Sequence, residues 1–158
     1  MADMLVKLYK LLDLNTSLQQ VRQNGILIKR PIGPEKYFVV EWVRSRFGNH
    51  WVSEVDISFS NRPVSTFIAL DEKENKIVGF ASYDATVRGF FGPTGVDEDY
   101  RGKGIGTALL LSCLHDMFNV GYAYAIIGDP GPVEYYKKTV DAVEIEDSYP
   151  GIYKNMLR

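Results

Sequence analysis

Cysteine and histidine are nearly missing from this chain of 158 residues, which has one of the first and two of the second. A lone Cys113 excludes an intrachain disulfide, and its place among leucines reads as packing rather than chemistry. With only His50 and His115 beside it, no Cys/His cluster has metal-ligand spacing, so no metal is expected. Ser112 lies near His115 but lacks the sharp turn that presents a serine nucleophile. A basic excess is absent too: 18 Lys and Arg stand against 20 Asp and Glu, for a formal charge of −2, which argues against a nucleic-acid partner. The apolar segments are too short and interrupted to span a membrane, and the first residues do not read as a signal peptide. A cytoplasmic protein with no membrane partner is the expectation. Repeats, low-complexity tracts and dividing linkers are also lacking. Hydrophobic content of 46% and charged content of 24% suit one globular domain over residues 1–158, long enough for a sizeable core.

What the chain does contain is a succession of short strand and helix patterns. Met4 to Leu12 opens as a strand, although its leucines also permit a helix. Thr16 followed by Gln19 is a capping-box pattern and Gly25 a stop, which predicts a helix over 16–24. Ile26 to Arg30 reads as a strand ended by Pro31. Pro34 starts a helix whose apolar face includes Phe38, Trp42 and Val43, and Gly48 follows its end. A second helix is expected over about 49–60, with Trp51, Val52, Val55 and Phe59 at helical spacing. Val64–Leu70 and Lys76–Tyr83 form a hairpin across the polar turn Asp71–Asn75. The next strand, 89–96, is irregular, since Pro93 cannot donate to a ladder and Gly92 and Gly95 weaken it. It is either an edge irregularity or a bulge that turns the strand away from its neighbour and frees N–H groups for a ligand. Further strands are expected at 122–127, 141–146 and 152–157, with a short helix over 132–139 after the rigid loop Asp129-Pro130-Gly131-Pro132. The sum is an α/β domain with a mixed, strongly twisted sheet of about seven strands flanked by helices on both faces.

The most informative stretch is Arg101-Gly102-Lys103-Gly104-Ile105-Gly106, which opens into Thr107 and an apolar helix. Alternate glycines leave the main-chain amides uncovered where a helix's first N–H groups lack partners, and two cations flank them. This is either a glycine-softened turn before a core helix or an anion cradle suited to phosphate. P-loop spacing is not met, and Thr107 stands where a dinucleotide fingerprint needs glycine. Arg-x-x-Gly-x-Gly, met by Arg101, Gly104 and Gly106, resembles the acyl-CoA-binding signature of the GNAT superfamily of N-acyltransferases. The strand ending at Val96, the helix after the loop, the strand at 122–127 and Tyr135-Tyr136 continue the likeness over residues 63–147.

That resemblance implies a CoA-binding core at about 63–147, residues 1–25 as an N-terminal strand and helix extension, and paired helices beside an acceptor pocket. It implies acetyl-CoA as acyl donor, held by Val96, Arg101, Gly102, Lys103, Gly104, Ile105, Gly106, Thr107, Asp129 and Tyr136. It places an oxyanion donor at the Val96 N–H and a proton donor at Tyr136, laid on an Asn-x-x-Ala-x-x-Phe-Tyr pattern. Asp129 departs from that pattern at the Asn position, and Pro132 at the Ala position. Asp141, where the family carries glycine, tolerates left-handed geometry.

Chemistry sets further demands. The attacking amine has to lose a proton, because an alkylamine's ordinary pKa is about 10.4, and the departing thiolate benefits from gaining one. No carboxylate lies on strand 89–96, where many relatives carry glutamate, so Glu54, Asp56 and Asp84 are the substitutes in that order. Each could instead be a solvated surface acid, and both tyrosines could simply pack. Phe47, Trp51 and Glu54 are expected at the acceptor entrance, with Trp42 and Arg46 nearby and Tyr149 or Tyr153 as lids. The expectation is an N-acetyltransferase acting on a small-molecule or peptide amine by direct attack in a ternary complex. A non-catalytic acyl-CoA-binding module or sensor is the alternative. Homodimers are common in the family; nothing in these residues defines an assembly.

Overall fold

A computed structural model describes all residues, 1–158. Twelve regular elements follow one another: β1 (Met4–Lys7), α1 (Leu14–Arg22), β2 (Ile26–Lys29), α2 (Lys36–Arg46), α3 (Asn49–Ser58), β3 (Thr66–Asp71), β4 (Lys76–Tyr83), β5 (Phe90–Val96), α4 (Ile105–Asn119), β6 (Tyr124–Ile127), α5 (Val133–Val140) and β7 (Val143–Glu144). The strands form one seven-stranded sheet in the order β2-β3-β4-β5-β6-β1-β7. All neighbours run antiparallel except β5 and β6. The β3–β4 hairpin turns as its residues dictate: Asp71 Oδ1 accepts the N–H groups of Lys73 and Glu74, and Asn75 takes a left-handed φ of 51°.

Both faces of the sheet are covered. On one face α4 is apolar nearly all round and buries Leu109, Leu110, Leu111, Cys113, Leu114 and Met117 in a core shared with β1, β4 and β6. On the other, Val39, Trp42 and Val43 of α2 and Val52 and Val55 of α3 pack on Ile68 and Phe80. A charged tie crosses the first core. Asp116 of α4 takes both guanidinium arms of Arg30 (3.0 and 2.8 Å) and the Tyr83 hydroxyl (2.5 Å), and Arg30 also lies 4.8 Å over the Phe67 ring.

Several local expectations are corrected. Helix α1 begins at Leu14, because Asp13 rather than Thr16 caps it, its carboxylate accepting the Thr16 N–H at 2.9 Å. Phe38 is 64% exposed: α2 turns Val39, Trp42 and Val43 inward instead. The expected closing strand at 152–157 does not form; a 3-10 turn at Gly151–Tyr153 and irregular chain stand there. The place beside β6 is held by β1, paired from Met4↔Ile127 to Lys7↔Tyr124. Strand β1 is thus an interior strand of the sheet, between β6 and β7. Asp141 takes its left-handed conformation (φ 55°) at the end of α5.

Candidate active site

Helix α4 starts at Ile105 behind Gly104, which takes the left-handed φ of 82° that glycine adopts without strain. No side chain caps this end, and the first helical hydrogen bond is Ala108 N–H to Gly104 O. The N–H groups of residues 102–107 therefore have no acceptor in the protein. All of these residues except Lys103 line a cleft of about 1300 Å³. Gly106 lies in the first turn of α4. Its φ is ordinary, and an added Cβ would meet only Val96 Cγ2 at 3.8 Å, so packing does not require glycine there. The exposed guanidinium of Arg101 donates Nε–H to the Val96 carbonyl (3.2 Å), while the Lys103 ammonium sits 5.3 Å over the Tyr100 ring outside the cleft lining. Thr107 Oγ1 is bonded to the Tyr135 hydroxyl (2.7 Å), tying α5 to the first turn of α4.

From this mouth the cleft runs along β5. Strands β5 and β6 pair only at Phe90↔Ile126 and Phe91↔Ile127, and beyond them β5 turns away. A register shift against β4 between Ala81 and Tyr83 marks the bulge at Gly92 and Pro93 that diverts it. Asp97 N–H returns to Val78 O on β4 (2.8 Å), so by alternation the Val96 and Thr94 amides face the opposite edge, into the gap.

Two groups that line the cleft can move protons. Tyr136 is 6% exposed, lines the cleft, and makes no hydrogen bond through its hydroxyl; burial, then Tyr135, pushes the phenol up to about 12. It keeps its proton at neutral pH and has it to give. Glu54 comes from α3 on the opposite face of the sheet. Burial raises its carboxyl, against the hydrogen bond from Thr86 Oγ1 and the charge of His50, which lower it. A raised carboxyl that still accepts a hydrogen bond is a serviceable base. Trp51 lines the same wall. Thr86 was missed because a single threonine in a loop carries no periodic or motif signal.

Three expected site residues lie elsewhere. Asp84 turns its carboxylate to the Gly89 N–H (2.7 Å) and the Tyr122 hydroxyl (2.8 Å), stabilising the β4–β5 loop outside the cleft. Phe47 stacks on Trp51 (4.7 Å) and presses on Gly95, where any Cβ would lie 2.5 Å from its ring, so it supports β5 from behind. Asp56, out on α3, pairs with Lys36. Asp129 does line the cleft, but its carboxylate points to the Met1 ammonium (3.5 Å) and its N–H to Asp3 (3.3 Å). No His/Cys/Asp/Glu cluster suited to a metal is present, and no helix is long and apolar enough to cross a membrane.

Parting parallel strands beside an uncapped, glycine-opened helix are the arrangement that the resemblance to GNAT N-acyltransferases implies. The model of the acetyltransferase (GNAT) family matches residues 36–138, more than half of the chain, and the chain belongs to that family. Solved structures share the fold. A GCN5-related glucosamine N-acetyltransferase region of a fungal multi-domain GH3 β-N-acetylglucosaminidase superposes with a TM-score of 0.72 at 13% identity, covering 91% of this chain and 19% of that one. A GCN5-related N-acetyltransferase from Sphaerobacter thermophilus gives 0.68 at 19% identity, over 91% and 48%. A GNAT family acetyltransferase from Brucella melitensis in complex with acetyl-CoA gives 0.52 at 18%, over 72% and 80%. The chain thus spans about a fifth of the first of these and about half of the second. No curated protein matches it by sequence.

Proposed function

We propose that residues 1–158 form one domain that moves an acetyl group from acetyl-CoA to a primary amine by direct attack in a ternary complex. The observation that carries this reading is the run of acceptor-free amides at 102–107, which opens onto the gap between β5 and β6. These amides and Arg101 hold the diphosphate of the donor, and the gap takes the arm that leads to its thioester. The Val96 N–H, turned into the gap, stabilises the carbonyl oxygen as it becomes an oxyanion. Glu54 accepts a proton from the amine on one face of the sheet, directly or through water. Tyr136 gives a proton to the departing sulfur on the other.

Calorimetric titration with acetyl-CoA, followed by thiol release over a set of primary amines, tests the reading. Saturable binding with amine-dependent release supports it. Binding without release would leave a sensor, and absence of binding at millimolar acetyl-CoA would end both.

A further inference from the structure

Residues 149–158, displaced from the sheet because β1 stands beside β6, cross the cleft instead. The turn at Gly151–Tyr153 points Tyr153 inward, and the Leu157 carbonyl meets His50 Nε2 on α3 at 3.0 Å. Phe91 belongs to the core beneath α4, so Phe90 faces the α2–α3 side, and the Phe90 ring and the Tyr153 hydroxyl both lie beside Gly128. The Tyr153 hydroxyl also abuts Gly128. A Cβ at that glycine would overlap the hydroxyl and sit 2.8 Å from the Phe90 ring, so only glycine admits this approach. Gly128 follows Ile127, the last β6 residue paired with β5, which puts the hydroxyl where the two strands part. It makes no hydrogen bond within the protein and shares the cleft with Glu54 and Trp51. Burial and the charges of Asp3, Glu54 and Asp129 push this phenol up to about 12, so its oxygen is neutral at working pH.

We propose that Tyr153 is an acceptor-binding residue, its hydroxyl contacting the incoming primary amine where β5 and β6 part, on the face opposite Tyr136. The C-terminal segment is then a wall of the acceptor site, and Tyr153 oxygen accepts one amine N–H while Glu54 takes the other proton. The inference rests on the acyl-transfer reading and deepens it.

Butylamine is the probe, with thiol release as the readout. Tyr153→Phe removes one oxygen, and losing a hydrogen bond of about 1 to 1.4 kcal/mol raises the butylamine KM roughly five- to tenfold. The acetyl-CoA Kd stays within twofold. Gly128→Ala, which displaces the hydroxyl without deleting it, raises the same KM. Tyrosines labelled with 13C at Cζ supply a second readout: the resonance missing from Tyr153→Phe shifts when butylamine is added to CoA-bound wild type. Should butylamine not turn over, that resonance alone decides. An unmoved resonance overturns the proposal, as does an unchanged butylamine KM in both variants. Failure of wild type to bind acetyl-CoA is seen beforehand by calorimetry and refutes the acyl-transfer reading instead.

Discussion

Replacing Gly106 by alanine separates what the fold needs from what a ligand needs. Gly106 has helical geometry in the first turn of α4, and its new Cβ would meet only Val96 Cγ2 at an ordinary 3.8 Å. Glycine in a helix is less favourable than alanine by roughly 0.5–1 kcal/mol, so the variant should gain about 0.5 kcal/mol at this terminal position. For a chain of this size that is a Tm rise of about 1–2 °C. The same methyl group would stand over amides that have no partner in the protein. Weakening one charge-assisted hydrogen bond to a phosphate removes about 1.5–3 kcal/mol, which is roughly a 10- to 150-fold loss of CoA affinity. Differential scanning calorimetry and CoA titration on the one variant read both quantities. A CoA Kd within twofold of wild type would refute the assignment of these amides. A Tm lowered by several degrees would show that glycine is there for the fold.

Three further outcomes are expected. Tyr136→Phe should lower kcat by about 10²-fold or more, as for loss of a general acid, with acetyl-CoA Kd unchanged in calorimetry; an unchanged kcat would remove Tyr136 from the mechanism. Glu54 carries a raised carboxyl, so its protonated form is favoured in the folded state: the stability it contributes is present below the ordinary value of 4.5 and is lost as pH rises through the raised one. Glu54→Gln should therefore keep or raise the Tm at pH 7 while abolishing the acid limb of the kcat profile, and Thr86→Val should move that limb to higher pH. A limb unmoved in both variants would take Glu54 out of the base role. Asp116→Ala leaves the Arg30 guanidinium and the Tyr83 hydroxyl without their shared carboxylate, a loss of about 3 kcal/mol by chemical denaturation; a loss under 1 kcal/mol would show that water replaces the carboxylate readily.

The part of this molecule that local chemistry dictates was legible in the sequence. Gly102, Gly104 and Gly106 ahead of an apolar helix announce an uncapped mouth, and Pro93 between two glycines announces a strand that leaves its ladder. What depends on long-range pairing was not. Ile152–Leu157 has the residues of a strand, but a strand needs a partner edge, and β1 from the other end of the chain holds the one beside β6. Asp84 ranks behind Glu54 and Asp56 in the sequence but still reads as available, yet Gly89 and Tyr122, close in space, consume its two oxygens. Phe47 was placed near the acceptor by its neighbours on α2 and α3, whereas the missing side chain of Gly95 draws it behind β5. Which acid faces the cleft is set by tertiary packing, and alternation along one element does not encode it.

A crystal structure with CoA bound is the most direct trial of the central claim, that amides 102–107 and the gap between β5 and β6 hold a thioester carrier. The account predicts the diphosphate within hydrogen-bond distance of those amides and the sulfur in the gap within reach of the Tyr136 hydroxyl. CoA seated elsewhere, with the mouth of α4 left to solvent, would contradict it.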